Sequence, residues 1–264
     1  MADEKAVLFV DMLGFSSLTQ ECRVDEEDFA VLDRPNRNDL LRVRLESIGN
    51  NRLIKNYTKF HMALDSAVEE ELLSDTQVTA IAFSDSAFIA VDHVYTAISI
   101  GKSIMVALMR DRIPARIGVA YGSFLVLRFR SDLSLRAGTH AAQFVGTGVV
   151  WAHAAAERSG IKGLRLLVHG SAADRVNDGD IVRTAPELAH RIVPLSAAEQ
   201  ENRQNVMFEI NQLNAGPNNW DEDLWADVQA MRAEAPESAL PHYVATLESI
   251  TRMRAQLGRQ PLAE

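Results

Sequence analysis

The run Ala6 to Val10 reads AVLFV, uninterrupted apolar character with branched side chains, and it ends on the carboxylate of Asp11. Such a run reads as a buried strand, and a charge left unpaired at its exit would cost several kcal/mol. A divalent cation is a partner that meets this cost, because a carboxylate at a strand end can be aimed at a hard metal that also holds substrate phosphates. Gly14 lets the following backbone come close to such phosphates. A strand-ending Asp also serves as a turn former or helix cap. A second strand-borne carboxylate, Asp85, shifts the balance towards the metal.

The 264 residues are 47% hydrophobic, enough for a sizeable core in one large domain or a domain with an extension. The single cysteine, Cys22, excludes an internal disulfide, fits a reducing compartment and leaves no spacing for structural zinc. A formal charge of −9 argues against a duplex nucleic-acid partner, which needs a basic face. No stretch approaches the roughly 18 consecutive apolar residues of a spanning helix, and Met1 to Lys5 is too acidic and short for a secretory leader. The expectation is a cytoplasmic protein with no membrane segment.

After the first strand, Glu21, Asp25, Glu26, Glu27 and Asp28 crowd together before Asp33-Arg34-Pro35-Asn36. This reads as an exposed insertion or lid, or as a solvated loop without a role. From Asp39 to Leu73 apolar residues recur at helical spacing, including Leu53, Tyr57, Phe60, Leu64 and Val68. Residues 78 to 91, VTAIAFSDSAFIAV, are two apolar runs around Ser84-Asp85-Ser86, which places Asp85 at a hairpin tip. A helix is expected from Val94 to Met109 and stops before Pro114. Strand patterns follow at Ala115 to Tyr121, Phe124 to Phe129, Leu164 to His169 and Asp180 to Arg183. The alternation favours an α+β sheet with helices packed on one face. The sequence divides into residues 1–195 and a C-terminal extension, 196–264, with a possible strand at Met207 to Leu213. Two helical segments lie either side of Pro236 and Pro241, and Trp220, Trp225 and Met231 read as packing residues.

Four motifs in order, FVDMLGFSSL, FSDSAFIA, ARIGVAYG and FVGTGVV, resemble the class III nucleotide cyclases. The resemblance spreads over residues 6 to 160 and implies a ferredoxin-like sheet, a head-to-tail homodimer with sites at its interface, and conversion of a nucleoside triphosphate to a 3′,5′-cyclic monophosphate and pyrophosphate. It implies that Asp11 and Asp85, with the Met12 carbonyl, hold two Mn2+ or Mg2+ ions. It also implies that the turn Leu13, Gly14, Phe15 and Ser16 holds the β- and γ-phosphates on backbone amides, a role a nest of N–H groups can fill. Arg116 matches a phosphate-contacting arginine of the family, and otherwise reads as an exposed strand residue.

The departures are specific. The helix positions that carry a ribose-binding asparagine and a transition-state arginine in purine cyclases are Val150 and Ala154 here; Arg158 is one turn further on. The adenine-reading lysine falls on Ile81, and its acidic or cysteine partner on Gln143, an amide able to serve a pyrimidine or guanine edge. The run GTGVVWAHAAAERSGIKGLRLLVHGS, with FSDS at the hairpin, resembles the pyrimidine cyclases of bacterial antiphage systems. These make cyclic UMP or cyclic CMP for a separately encoded effector, and the uridylate reading leads. A degenerate homologue that binds nucleotide or partner without turnover, and a divergent adenylate or guanylate cyclase, stay open.

Overall fold

The Ala6–Val10 run lies at the centre of strand β1 (Asp3–Met12), where every one of its five side chains is at most 4% exposed. Continuous apolar character is what a strand covered on both faces requires. The computed structural model describes residues 3–22, 51–72, 77–127, 143–176, 192–202, 205–213 and 220–262. The acid-rich 21–36 stretch beyond residue 22 and the expected Asp180–Arg183 strand lie outside the described residues, as does the Trp220 side chain.

β1 pairs antiparallel with β3 (Ser86–Val91) on one side and β4 (Ala115–Leu127) on the other; β3 pairs with β2 (Thr79–Ala82). β4 runs parallel to β6 (Leu166–His169), and the sheet continues through β8 (Val206–Ile210) to β7 (Ile192–Pro194). A short β5 (Gln143–Val145) adds to β4 outside this order. The strand from beyond residue 196 therefore lies between β6 and β7. Two strands were expected in Ala115 to Phe129, yet β4 runs unbroken through Gly122 and Ser123. Gly122 stands opposite Lys5 in the ladder, and a Cβ there would come within 2.5 Å of Thr147 Oγ1, so this glycine permits close helix packing and makes no turn.

Eight α-helices are seen among the described residues. After α1 (Phe15–Glu21), α2 (Arg52–Leu72) realises the described part of the long amphipathic pattern, and α3 (Val94–Arg110) follows the hairpin. Both bury their apolar stripes against Leu8, Val10, Ile89 and Ile117 of the sheet. α4 (Thr147–His153), which passes directly into a π-helical turn (Ala154–Arg158), covers the opposite face against Val7, Phe9, Ala90 and Ala120, so helices lie on both faces and not on one as expected, because β1 is apolar on both sides. After α5 (Gly170–Val176) and α6 (Ala197–Asn202), α7 (Trp220–Glu234) and α8 (Leu240–Gln256) add Leu224, Val228, Ile250 and Met253 to the first face. Met231 is buried there and Trp225 packs against this core. Pro241 sits in the first turn of α8, where its missing N–H costs no helical bond. No helix among the described residues is long and apolar enough to cross a membrane.

Buried ion pairs join the C-terminal elements to the sheet. Arg165, 1% exposed, pairs with Glu199 and, at 2.7 Å, with the fully buried Glu209 of β8. Ser249 of α8 donates to Glu209 at 2.7 Å. Thr246 of α8 accepts the Leu164 amide at 2.8 Å, and Asp221 of α7 pairs with Arg254 and Arg259.

Candidate active site

At one end of the sheet the register places Asp11 between Ser86 of β3 and Arg116 of β4. The β2–β3 turn carries Asp85 to the same end, where its carbonyl accepts the Met12 amide at 2.8 Å. Ser84 Oγ donates to Asp85 Oδ1 at 3.1 Å. Asp11, Met12, Asp85 and Arg116, predicted from separate motifs, are thus brought together. The chain then turns at Gly14, whose φ of +77° is left-handed backbone that glycine adopts without strain, with nothing within 4 Å of a Cβ there. The Leu13 amide is already committed, donating to the Pro114 carbonyl at 2.8 Å. An anion at this turn would therefore meet the amides beyond Leu13.

The two positions tied to base recognition lie on β2 and β5. Ile81 faces Phe88 in the β2–β3 ladder and packs in the apolar cluster that includes Phe144, the neighbour of Gln143. Gln143 stands opposite Leu127 in the β4–β5 ladder; its side chain lies outside the described residues. Phe83 reaches Phe144 with ring centroids 6.1 Å apart and stays 44% exposed. Val145 and Val150 are more exposed still, at 52% and 60%. In β5, Val145 alternates to the face opposite Phe144, so these are separate exposed apolar positions.

Arg158 is exposed, whereas its neighbour Glu157 turns inward from the π turn. The Arg116 guanidinium donates to Glu157 and stands 3.5 Å from Asp11 Oδ2. Arg116 Nε is buried without a hydrogen-bond partner among the described residues. The Asp11 carboxyl is pushed up to about 8, first by burial, then by its hydrogen bond to Glu157 and the charge of that acid, with Arg116 opposing and Asp85 adding. Nothing in the local sequence distinguishes Glu157 from a solvated helix-end acid; the π turn that directs it inward has no sequence signature.

His242, on α8, accepts the Gly163 amide at 3.3 Å through Nδ1. Burial first, then the charges of Arg116 and Lys162, hold its pKa below the usual histidine range. A cavity of about 580 Å3 lies between the Met12–Leu18 turn and the C-terminal segment, with His242 and Tyr243 in its wall.

Asp11 and Asp85 supply the hard oxygen donors that Mg2+ or Mn2+ takes, and one arginine shared with Glu157 leaves the desolvated Asp11 short of positive charge. These residues fit a divalent cation. Among the described residues no three or more His, Cys, Asp or Glu side chains form a complete cage; coordination by one or two carboxylates plus substrate phosphates is the usual Mg2+ arrangement.

No family model and no curated protein matches the chain. Its structure is similar to that of a bacterial light-regulated adenylyl cyclase, with 14% identity over 88% of this chain and 57% of that one, and a TM-score of 0.50. It is also similar to the guanylyl cyclase Cya2, with 12% identity, 83% and 98% coverage and a TM-score of 0.47. A class III adenylyl cyclase-like ATP-binding protein from Pseudomonas aeruginosa gives 10% identity, 93% and 44% coverage and a TM-score of 0.39. The likeness to the light-regulated adenylyl cyclase is one of fold: the α+β nucleotide-cyclase sheet with its helices, as the sequence motifs imply.

Proposed function

We propose that this protein is a metal-dependent nucleotide cyclase converting a pyrimidine nucleoside triphosphate, UTP first, to its 3′,5′-cyclic monophosphate and pyrophosphate. The observation that carries the reading is the joining of Asp11 and Asp85 at one sheet end, across from Arg116. In this reading residues 1–195 carry the reaction and 196–264 support it.

Asp11, Asp85 and the Met12 carbonyl would hold the Mn2+ or Mg2+ ions. When bound, such ions polarise phosphoryl oxygens and make the 3′-hydroxyl a better nucleophile. The turn at Gly14, Phe15 and Ser16 holds the β- and γ-phosphates on amides, and Arg116 offers its guanidinium to a phosphate oxygen. The 3′-oxygen bonds to the α-phosphorus, the bond from that phosphorus to the bridging oxygen breaks, and pyrophosphate leaves with the electron pair while the hydroxyl proton passes to solvent.

Base choice rests on Ile81 standing where adenine-reading cyclases carry lysine, within an aromatic surround of Phe83 and Phe144, and on the likeness of the 140–171 run to antiphage pyrimidine cyclases. That likeness also supports a role as messenger synthase for a separately encoded effector in antiphage defence. A homodimer with sites at its interface is proposed on the same likeness, and the exposed apolar side chains of Phe83, Val145 and Val150 are available to contacts between copies. Val150 and Ala154, which offer no polar group to ribose or to the transition state, favour a second reading in which nucleotide binds without turnover.

The test is incubation with equimolar UTP, CTP, ATP and GTP and Mn2+, with products resolved by mass. Cyclic UMP as the main product is expected. Cyclic AMP or cyclic GMP alone would overturn the base choice, and nucleotide binding with no cyclic product would favour the second reading.

A further inference from the structure

Val7, Phe9 and Asp11 alternate onto the sheet face that α4 covers, and Arg116, Gly118 and Ala120 answer them across the β1–β4 ladder. The helix lies directly on this face. A Cβ on Gly118 would stand 2.1 Å from the Ala152 carbonyl oxygen and 2.8 Å from the Ala156 nitrogen, so only glycine lets the helical backbone sit so low. Immediately after this contact the chain widens into the π turn Ala154–Arg158. π turns are rare and concentrate at functional sites. Here the turn sends Glu157 down towards Arg116 while Arg158 stays in solvent.

Glu157 meets Arg116 at this end of the sheet. It accepts from Arg116 Nη2, and the same guanidinium nitrogen stands 3.5 Å from Asp11 Oδ2, so Arg116 lies between a carboxylate on the helix and one on the neighbouring strand. Arginine is a long, flexible side chain, and a guanidinium fixed before its ligand arrives loses less freedom on binding. The pairing uses Nη2, and Nε is buried with no hydrogen-bond partner among the described residues.

We propose that Glu157 is the positioning residue for Arg116: its carboxylate, brought down by the π turn, fixes the guanidinium beside Asp11 so that a triphosphate meets it already oriented. The inference rests on the reading of this end of the sheet as a triphosphate site, and it is independent of which base is cyclised and of whether turnover follows.

The probe is inorganic tripolyphosphate with Mg2+, whose binding to the full-length chain is measured by calorimetry in a double-mutant cycle. Glu157→Gln should weaken binding about tenfold with an unchanged melting temperature, and Arg116→Ala should weaken it at least as much. Because Glu157 acts through Arg116, the double variant should bind within about twofold of Arg116→Ala alone. Glu157→Asp, which keeps the charge, should recover part of the loss and serves as the reporter if Glu157→Gln fails to fold.

Additive losses in the double variant, or unchanged binding in Glu157→Gln, would overturn the proposal. Tighter binding in Glu157→Gln would also overturn it, by making Glu157 a competitor of the phosphates. A wild-type protein that ignores tripolyphosphate overturns it as well. One that binds tripolyphosphate yet cyclises none of the four nucleotides contradicts the proposed turnover alone, and the cycle still decides the role of Glu157.

Discussion

The Met12 amide donates to the Asp85 carbonyl at 2.8 Å, so the end of β1 and the tip of the β2–β3 hairpin are tied by backbone. The tie does not involve the Asp85 carboxylate. Replacing Asp85 by Asn should therefore leave the melting temperature within about 2 °C of wild type while lowering cyclisation by about 10² or more, the scale seen on losing one electrostatic catalytic group. Thermal melts and product formation measured on the same preparation check this. A large fall in melting temperature would mean that the side chain supports the hairpin.

Gly118 is the contact on which α4 rests. Gly118→Ala introduces a methyl group 2.1 Å from the Ala152 carbonyl oxygen, a backbone atom that cannot swing aside. Overpacking of this kind costs typically 1–3 kcal/mol, and a destabilisation of about 3 kcal/mol or more is expected in urea unfolding. Val150→Asn on the same helix, 60% exposed in the single chain, meets no such clash, so any loss it brings should appear in the proposed association of two copies and not in the unfolding of one.

The C-terminal elements depend on buried charge. Glu209→Ala leaves the Arg165 guanidinium, 1% exposed, without its 2.7 Å partner, and removal of one member of such a pair costs about 3–5 kcal/mol. Arg165→Met combined with Glu209→Leu should cost less than Glu209→Ala, because neither charge is then stranded. Equilibrium unfolding of the two variants checks the order, and the reverse order would contradict it.

Glu199 gives the fold an acid-sensitive contact. Burial works against its charge, but the hydrogen bond and charge of Arg165, with donors from Ser196, outweigh it and hold the carboxyl below the usual 4.5. A carboxyl lowered in the folded state adds stability that is fully present above its unfolded pKa and is lost as pH falls through the folded one. The unfolding free energy should thus decline as pH drops below about 4.5, and Glu199→Gln should flatten that decline. An unaltered slope in Glu199→Gln would place the acid sensitivity elsewhere.

Patterns local to the chain were legible in the sequence. The apolar run before Asp11, the hairpin around Asp85 and the helical stripes over Asp39–Leu73 and Val94–Met109 each carry their own periodicity; the structure realises the first of these stripes over its described part, 52–72, and the other elements within a few residues. Non-local pairing left no such signal. The insertion of Val206–Ile210 between β6 and β7 depends on partners about 40 residues upstream, and no local pattern links Arg165 to Glu209, which folding buries together. Gly122 looked like a strand break because its packing role depends on Thr147. Glu157 was hidden for a similar reason: in a regular helix its direction follows from spacing, and a π turn alters that spacing without any cue in AAAER.

The most direct test of the account compares the wild-type chain with Asp11→Ala in a timed reaction with UTP and Mn2+, following cyclic UMP and pyrophosphate together. The account predicts equimolar cyclic UMP and pyrophosphate from the wild type, and none above background from Asp11→Ala. Turnover by Asp11→Ala at the wild-type rate would contradict it.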